Sequence, residues 1–287
     1  MKLRLTTNLI LSERTVWEGT RTMRDDPAER APRLDKWEEE IRRVAELISA
    51  TDKAVALTGA GISVDSGIPA FRGAQGLWEK YDPAEYAHID AFLTDPKKVW
   101  VMLEEMAGIV MTAQPNPGHR GLAELERMGH LMAVITQNVD NLHQRAGNQN
   151  VIEFHGNGSR LVCLRCGRRY SVEETEFTEF PPHCQCSMIL KPDVIFFGEL
   201  IPAEASQRAE EAAVNCSLML VIGTSAMVWP ASEIPRVARD HNAQIVEINV
   251  EKTELTGRIA DHHIGESASV VLPAIVAEVE RLRKQAS

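Results

Sequence analysis

The 287-residue sequence has no excess of positive charge, no long apolar run and no internal repeat or low-complexity tract. Lys and Arg number 31 against 41 Asp and Glu, a net charge of −10. A whole-surface field that attracts DNA or anionic lipid is thereby excluded, and no specific nucleic-acid partner is expected. An acidic surface tolerates a lysine-bearing peptide instead. No stretch approaches the roughly 20 apolar residues that cross a bilayer, and Leu9-Ile10-Leu11 falls short of a signal-peptide core of about 7 to 15. The expected setting is therefore the cytoplasm, with no membrane partner. Oligomeric state is not legible, and a monomer is the default. Residues 12–34 are rich in Arg, Asp, Glu and Pro without apolar periodicity, so 1–34 read as an N-terminal extension.

What is present is an alternation. Trp37, Ile41, Val44, Ala45 and Ile48 fall at helical spacing and predict an amphipathic helix over 35–50. Runs of strand length follow at 53–57, 131–136, 218–222, 245–249 and 269–272. Helix-patterned stretches lie between or after them at 117–128, 203–214, 231–240 and 274–285. Buried strands alternating with helices predict an α/β fold, a Rossmann-like parallel sheet with helices on both faces. Two segments break the pattern: 74–115, with one predicted helix at 95–112, and 156–200. A small second domain built from these insertions is expected, leaving the core at about 35–73, 116–155 and 201–287.

Cys163, Cys166, Cys184 and Cys186 form a C-x2-C-x17-C-x-C array in the second insertion. Two tight pairs of thiolates suit a tetrahedral zinc, and four protein ligands close its shell, so the metal is expected to be structural, within a module at 160–190. Disulfides are the competing reading, which a cytosolic setting disfavours. His183 could replace one ligand but is redundant. Cys216 reads as a core thiol.

The loop "TGAGISVDSGIPAFRG" (58–73) follows the first apolar run. Gly59 and Gly61 begin a dinucleotide fingerprint, but Val64 occupies the third glycine position. About 20 residues on, where a dehydrogenase carries a ribose-binding acid, there is no strand end. A tight structural turn therefore stays open beside a pyrophosphate loop, and Glu251 is the better ribose acid. Polar clusters end three strands: Thr136-Gln137-Asn138-Val139-Asp140-Asn141-Leu142-His143, Gly223-Thr224-Ser225 and Asn249-Val250-Glu251. In open α/β sheets such ends face one crevice. His155, at the junction with the cysteine segment, reads either as structural or as a base near neutral pH.

Together "GAGISVDSGIPAFRG", "TQNVDNLH", "EFHGN", the cysteine pairs, "KPDVIFFGE", "GTSAMVWPA" and "INVE" resemble, in order, the sirtuins, NAD-dependent protein lysine deacylases. The resemblance covers about 53–273. It implies a Rossmann-like domain plus a zinc domain, with NAD and an acyl-lysine peptide meeting in the cleft and NAD consumed. By the same resemblance, Gly59, Ala60, Gly61 and Arg72 hold phosphates and ribose, and Phe71 shields the nicotinamide side. Gln137, Asn138 and Asp140 form the nicotinamide and ribose pocket, with Asn138 and Asp140 counted with His155 as catalytic. Gly223, Thr224, Ser225, Asn249, Glu251 and Ala268 form the adenosine side, and His155 is the base. The peptide is expected to lie between Phe196–Glu199 and Met227–Pro230, contacting Ile195, Phe196, Gly198, Glu199 and Val228.

Sirtuins that remove succinyl or malonyl groups carry a Tyr-x-x-Arg pair. Here Leu103 and Met106 stand in its place, and an acidic acyl chain would meet Glu104 or Glu105. With Ala87 as a small pocket residue, the expectation is deacetylation with tolerance for longer apolar acyl groups. The competing readings are mono-ADP-ribosyl transfer to protein and a non-catalytic NAD-binding regulator.

Overall fold

The computed structural model describes residues 34–71, 76–175 and 179–286. The expected extension and Arg72 lie outside the described residues, save Leu34. Nine strands are described: β1 (Ala54–Thr58), β2 (Leu131–Thr136), β3 (Val151–Glu153), β4 (Gly156–Val162), β5 (Arg169–Ser171), β6 (Lys191–Val194), β7 (Leu218–Ile222), β8 (Gln244–Ile248) and β9 (His262–Ile264). The helices are α1 (Glu38–Ser49), α2 (Leu77–Lys80), α3 (Pro83–Tyr86), α4 (Ile89–Thr94), α5 (Pro96–Thr112), α6 (Pro117–Arg127), α7 (Leu142–Ala146), α8 (Ala203–Asn215), α9 (Ile234–Asp240) and α10 (Ala268–Ala286). Short 3-10 turns add Ala60–Ser66 and Ala231–Glu233.

Six strands form one parallel sheet in the order β3-β2-β1-β7-β8-β9. Successive residues point to opposite faces, so a strand covered on both sides must be apolar throughout. In β7, Leu218, Leu220 and Ile222 join the core under α1, α6 and α10. Met219 and Val221 join the core under α8 and α9. Local signals set the helix starts. Asn116 caps α6 by accepting from the Gly118 and His119 N–H groups, with Pro117 in the first position, and Asp95 with Pro96 does the same for α5.

The chain order reverses between β1 and β7, so their C-terminal ends diverge into a crevice, the usual ligand position in open α/β sheets. Beside it stands the antiparallel sheet β5-β4-β6. Its own core joins Phe92, Val99 and Trp100 from the first insertion to Leu161, Cys163, Cys184, Leu190 and Phe196 from the second. The Trp100 indole N–H donates to the Leu190 carbonyl at 2.9 Å.

Two expectations are corrected. Residues 269–272 are not a strand; they are the first turns of α10, where Val271 and Leu272 are fully buried against α1 and α6. Pro273 lies inside that helix and removes one hydrogen bond near its start, which burial of the preceding turn outweighs. The last strand of the sheet is instead His262–Ile264. The first insertion also holds four helices, α2 to α5, where one was expected.

Candidate active site

The crevice is a cavity of about 1480 Å³, larger than the ~300–1,000 Å³ usual for a single small ligand. Gly59, Ala60 and Gly61 line it at the end of β1, Gln137 and Asn138 at the end of β2, Gly223, Thr224 and Ser225 after β7, and Asn249 and Glu251 after β8. Ala268 enters from the start of α10, and His155 sits between the two sheets. Four loops thus converge as their positions at strand ends require.

Gly59 and Gly61 pack the loop against its neighbour. Their N–H groups donate to the Ile222 and Gly223 carbonyls at 3.0 and 2.8 Å. A Cβ on Gly61 would stand 2.7 Å from the Gly223 Cα, and one on Gly59 would stand 2.7 Å from the Thr224 Cβ. These glycines let the first loop lie against the loop after β7. Gly59, Ala60 and Gly61, with Val64 and Asp65 of the turn that follows, are what the loop presents to the cavity. Gly223 itself has φ +58°, and a Cβ there would meet the Ile62 nitrogen at 2.4 Å.

Beneath the cavity floor runs a buried polar network whose members lie within the sequence motifs but whose connections the motifs do not show. The Ser63 hydroxyl donates to Asp140 Oδ2 at 2.7 Å and accepts from Asn138 Nδ2 at 3.1 Å. Asn138 Nδ2 also reaches the Gly59 carbonyl, at 3.1 Å. The Thr58 hydroxyl donates to Thr136 Oγ1 and therefore accepts from His143 Nε2, both at 2.9 Å. Asp140 is not in the cavity wall; it stands behind Ser63 and Asn138 and ties down the Leu142 N–H at 2.9 Å. Burial raises its pKa, opposed by the Leu142 N–H and the Ser63 hydroxyl. Burial takes His119 down to about 2, aided by the charges of His143 and Arg120, and takes His143 down to about 4. The signal that could have found this floor is a Thr at the end of both β1 and β2, since two buried hydroxyls side by side need partners.

His155 Nδ1 lies 3.1 Å from the Gln137 carbonyl, which only accepts, so Nδ1 carries the proton and Nε2 is the free base. Burial lowers its pKa, against the opposing pull of the Gln137 bond, and keeps it neutral. Its backbone is fixed as well. The His155 carbonyl accepts from the Ile195 N–H at 2.9 Å, and Gly156, at φ +78°, passes so close to the Asp193 carbonyl that a Cβ would stand 2.2 Å from it.

An apolar wing extends the cavity between the two insertions. Ala87, Leu103 and Met106 line it, together with Ile195, Phe196, Gly198, Glu199 and Val228. Phe71 also reaches the cavity, stacked on Trp78 with centroids 5.2 Å apart. Neither Glu104 nor Glu105 lines the wing, contrary to expectation: Glu105 is drawn away by Lys80 at 2.6 Å and by the Tyr81 hydroxyl at 2.5 Å.

The four cysteines converge as anticipated, all Sγ atoms within 4.8 Å of one another. Their separations include 3.5 Å (Cys163–Cys186), 3.6 Å (Cys166–Cys184) and 4.0 Å (Cys166–Cys186). A tetrahedral zinc with Zn–S near 2.3 Å sets its thiolates about 3.8 Å apart, so the donor set fits that ion. No disulfide occurs among the described residues, and none of their helices is long and apolar enough to cross a membrane.

The model of the Sir2 family matches residues 59–230. The chain belongs to the Sir2 family. An NAD-dependent protein deacylase 2 of Pyrobaculum aerophilum is 47% identical over 83% of this chain and 95% of its own length. A solved Sir2 homologue in complex with NAD superposes with a TM-score of 0.79 at 41% identity, over 84% of this chain and 94% of that one. A Sir2 protein bound to a myristoylated histone peptide does so at 0.72 and 38%, over 86% and 99%. This sirtuin therefore shares its overall fold with these solved relatives.

Proposed function

We propose that this sirtuin removes acetyl and longer apolar acyl groups from protein lysines, consuming NAD and releasing nicotinamide, O-acyl-ADP-ribose and free lysine. The observation that carries the proposal is His155, a half-buried neutral imidazole with its proton fixed on Nδ1, in a cavity that joins a switch-point crevice to an apolar wing. The relatives support it, being named deacylases and having been solved with NAD and with an acylated peptide.

In this reading the parallel sheet with its helices is the nucleotide domain, and the two insertions make the zinc domain. One structural zinc, held by the four thiolates, supports the small sheet and takes no part in the reaction. NAD, when bound, supplies an activated ribose carbon with nicotinamide as its leaving group. The loops after β1, β7 and β8 receive the nucleotide, with Glu251 and Asn249 on the adenosine side. Asn138 lines the nicotinamide end, and Asp140 acts through Ser63 and Asn138 rather than by contact.

The apolar wing strips water from the acyl group, so that its carbonyl oxygen meets the ribose carbon with little reorganisation. His155 Nε2 then takes a proton from a ribose hydroxyl, as only a neutral imidazole can. An acidic acyl chain finds no cation among Ala87, Leu103 and Met106. We place the chain in the cytoplasm. Rates on acetyl-, myristoyl- and succinyl-lysine peptides test the substrate class: acetyl and myristoyl should lead, and a succinyl peptide cleaved fastest would overturn it.

A further inference from the structure

The geometry points to Lys191 and Glu199 as a buried positioning pair that holds the substrate-side turn Phe196–Glu199 in register with His155; the inference rests on the deacylase reading and deepens it. Lys191, in β6, is a lysine with a side chain only 3% exposed, far from the usual place of an ammonium group. Its Nζ donates to the Glu199 carboxylate at 2.9 Å and to the Val194 carbonyl at 2.5 Å, and lies 4.4 Å from the centre of the Phe196 ring. The same Glu199 oxygen accepts the Phe196 N–H at 2.8 Å.

These contacts close a short circuit. The Glu199 N–H donates to the Phe196 carbonyl at 3.0 Å, making a four-residue turn with Gly198 at φ +86° in its third position, as a type II turn demands. Phe197 pairs with the backbone of the first insertion, donating to the Ala87 carbonyl and accepting from the Ile89 N–H, both at 2.9 Å. Ile195, just before the turn, donates to the His155 carbonyl. The turn therefore links the acyl wing at Ala87 to the base at His155, and the Lys191–Glu199 pair fastens it from below.

Glu199 thus serves the substrate through the Phe196 N–H it holds. A buried ion pair is seldom retained for stability alone, because desolvating both charges offsets their attraction. Here it secures an oxygen acceptor for a backbone N–H at the mouth of the site.

Two charge-free double variants separate positioning from folding: Lys191→Met with Glu199→Gln keeps an oxygen for the Phe196 N–H, and Lys191→Met with Glu199→Ala removes it. Neither leaves an unpaired buried charge. The two doubles lose the same charges and differ only in that oxygen, so the first is the reference for the acetyl-lysine peptide KM. The second should raise that KM roughly tenfold, with NAD affinity measured without peptide and zinc content unchanged. Amide exchange at Phe196 should accelerate only in the second. Equal peptide KM in the two doubles, or a loss of NAD affinity that accompanies the rise in peptide KM, would overturn the positioning role. A wild-type chain that releases no nicotinamide with acyl-peptide overturns the deacylase reading and this inference with it. An active wild type beside indistinguishable doubles overturns this inference alone.

Discussion

Burial keeps His155 neutral in a pH range where an exposed imidazole is already partly charged, and its Nδ1 bond to Gln137 directs the free lone pair to Nε2. Replacing it by Ala should lower turnover of acyl-peptide by at least about a hundredfold while NAD still binds; turnover within a few-fold of wild type would contradict the assignment. Because the base acts when unprotonated and its pKa is lowered, kcat/KM should hold steady through pH 6.5 and decline only at lower pH. An acid limb above pH 6.5 would contradict the burial argument. His119 and His143 give a separate stability effect. Both are held neutral when folded, at about 2 and about 4, and charge freely when unfolded near 6.5. The stability they preserve is complete above pH 6.5 and is lost as the pH falls below it. At pH 5 the two together should cost roughly 4 kcal/mol, read as a lower urea midpoint than at pH 7. An unchanged midpoint would contradict their neutral burial.

Loops at the strand ends do the positioning, and their glycines act by permitting contact between loops. Gly223→Ala should destabilise the protein by about 2–4 kcal/mol and weaken NAD binding, because the added Cβ strikes the Ile62 nitrogen and the residue must keep φ +58°. Thermal unfolding and NAD titration check it, and a variant of wild-type stability would contradict the packing argument. The β1, β2, β7 and β8 runs were legible because strands buried on both faces leave unbroken apolar stretches. The three-residue β9, with two histidines, carries no such mark. Residues 269–272 misled because a short β-branched run before a proline imitates a strand when tertiary burial is hidden. At the site, the motifs found the cavity wall. They also contain the floor residues Thr58, Ser63, Thr136 and His143, but not the bonds among them, which form only where separate loops are stacked.

The molecule as a whole divides between a parallel sheet whose strand-end loops line the crevice and a smaller sheet, beside the four-cysteine cluster, that carries part of the apolar wing. Cys163 and Cys184 are themselves part of the smaller core, so metal removal should loosen that core first. Chelation should remove one zinc per chain and speed amide exchange across β4–β6, while β1, β7 and β8 stay protected; uniform loss of protection would contradict the separation. If His155 and this cavity transfer an acyl group from lysine to ADP-ribose, mass spectrometry of the products from NAD and an acetyl-lysine peptide should show free lysine peptide, nicotinamide and O-acetyl-ADP-ribose in equal amounts. ADP-ribose attached to protein, or acetyl peptide left intact while NAD is consumed, would contradict that transfer.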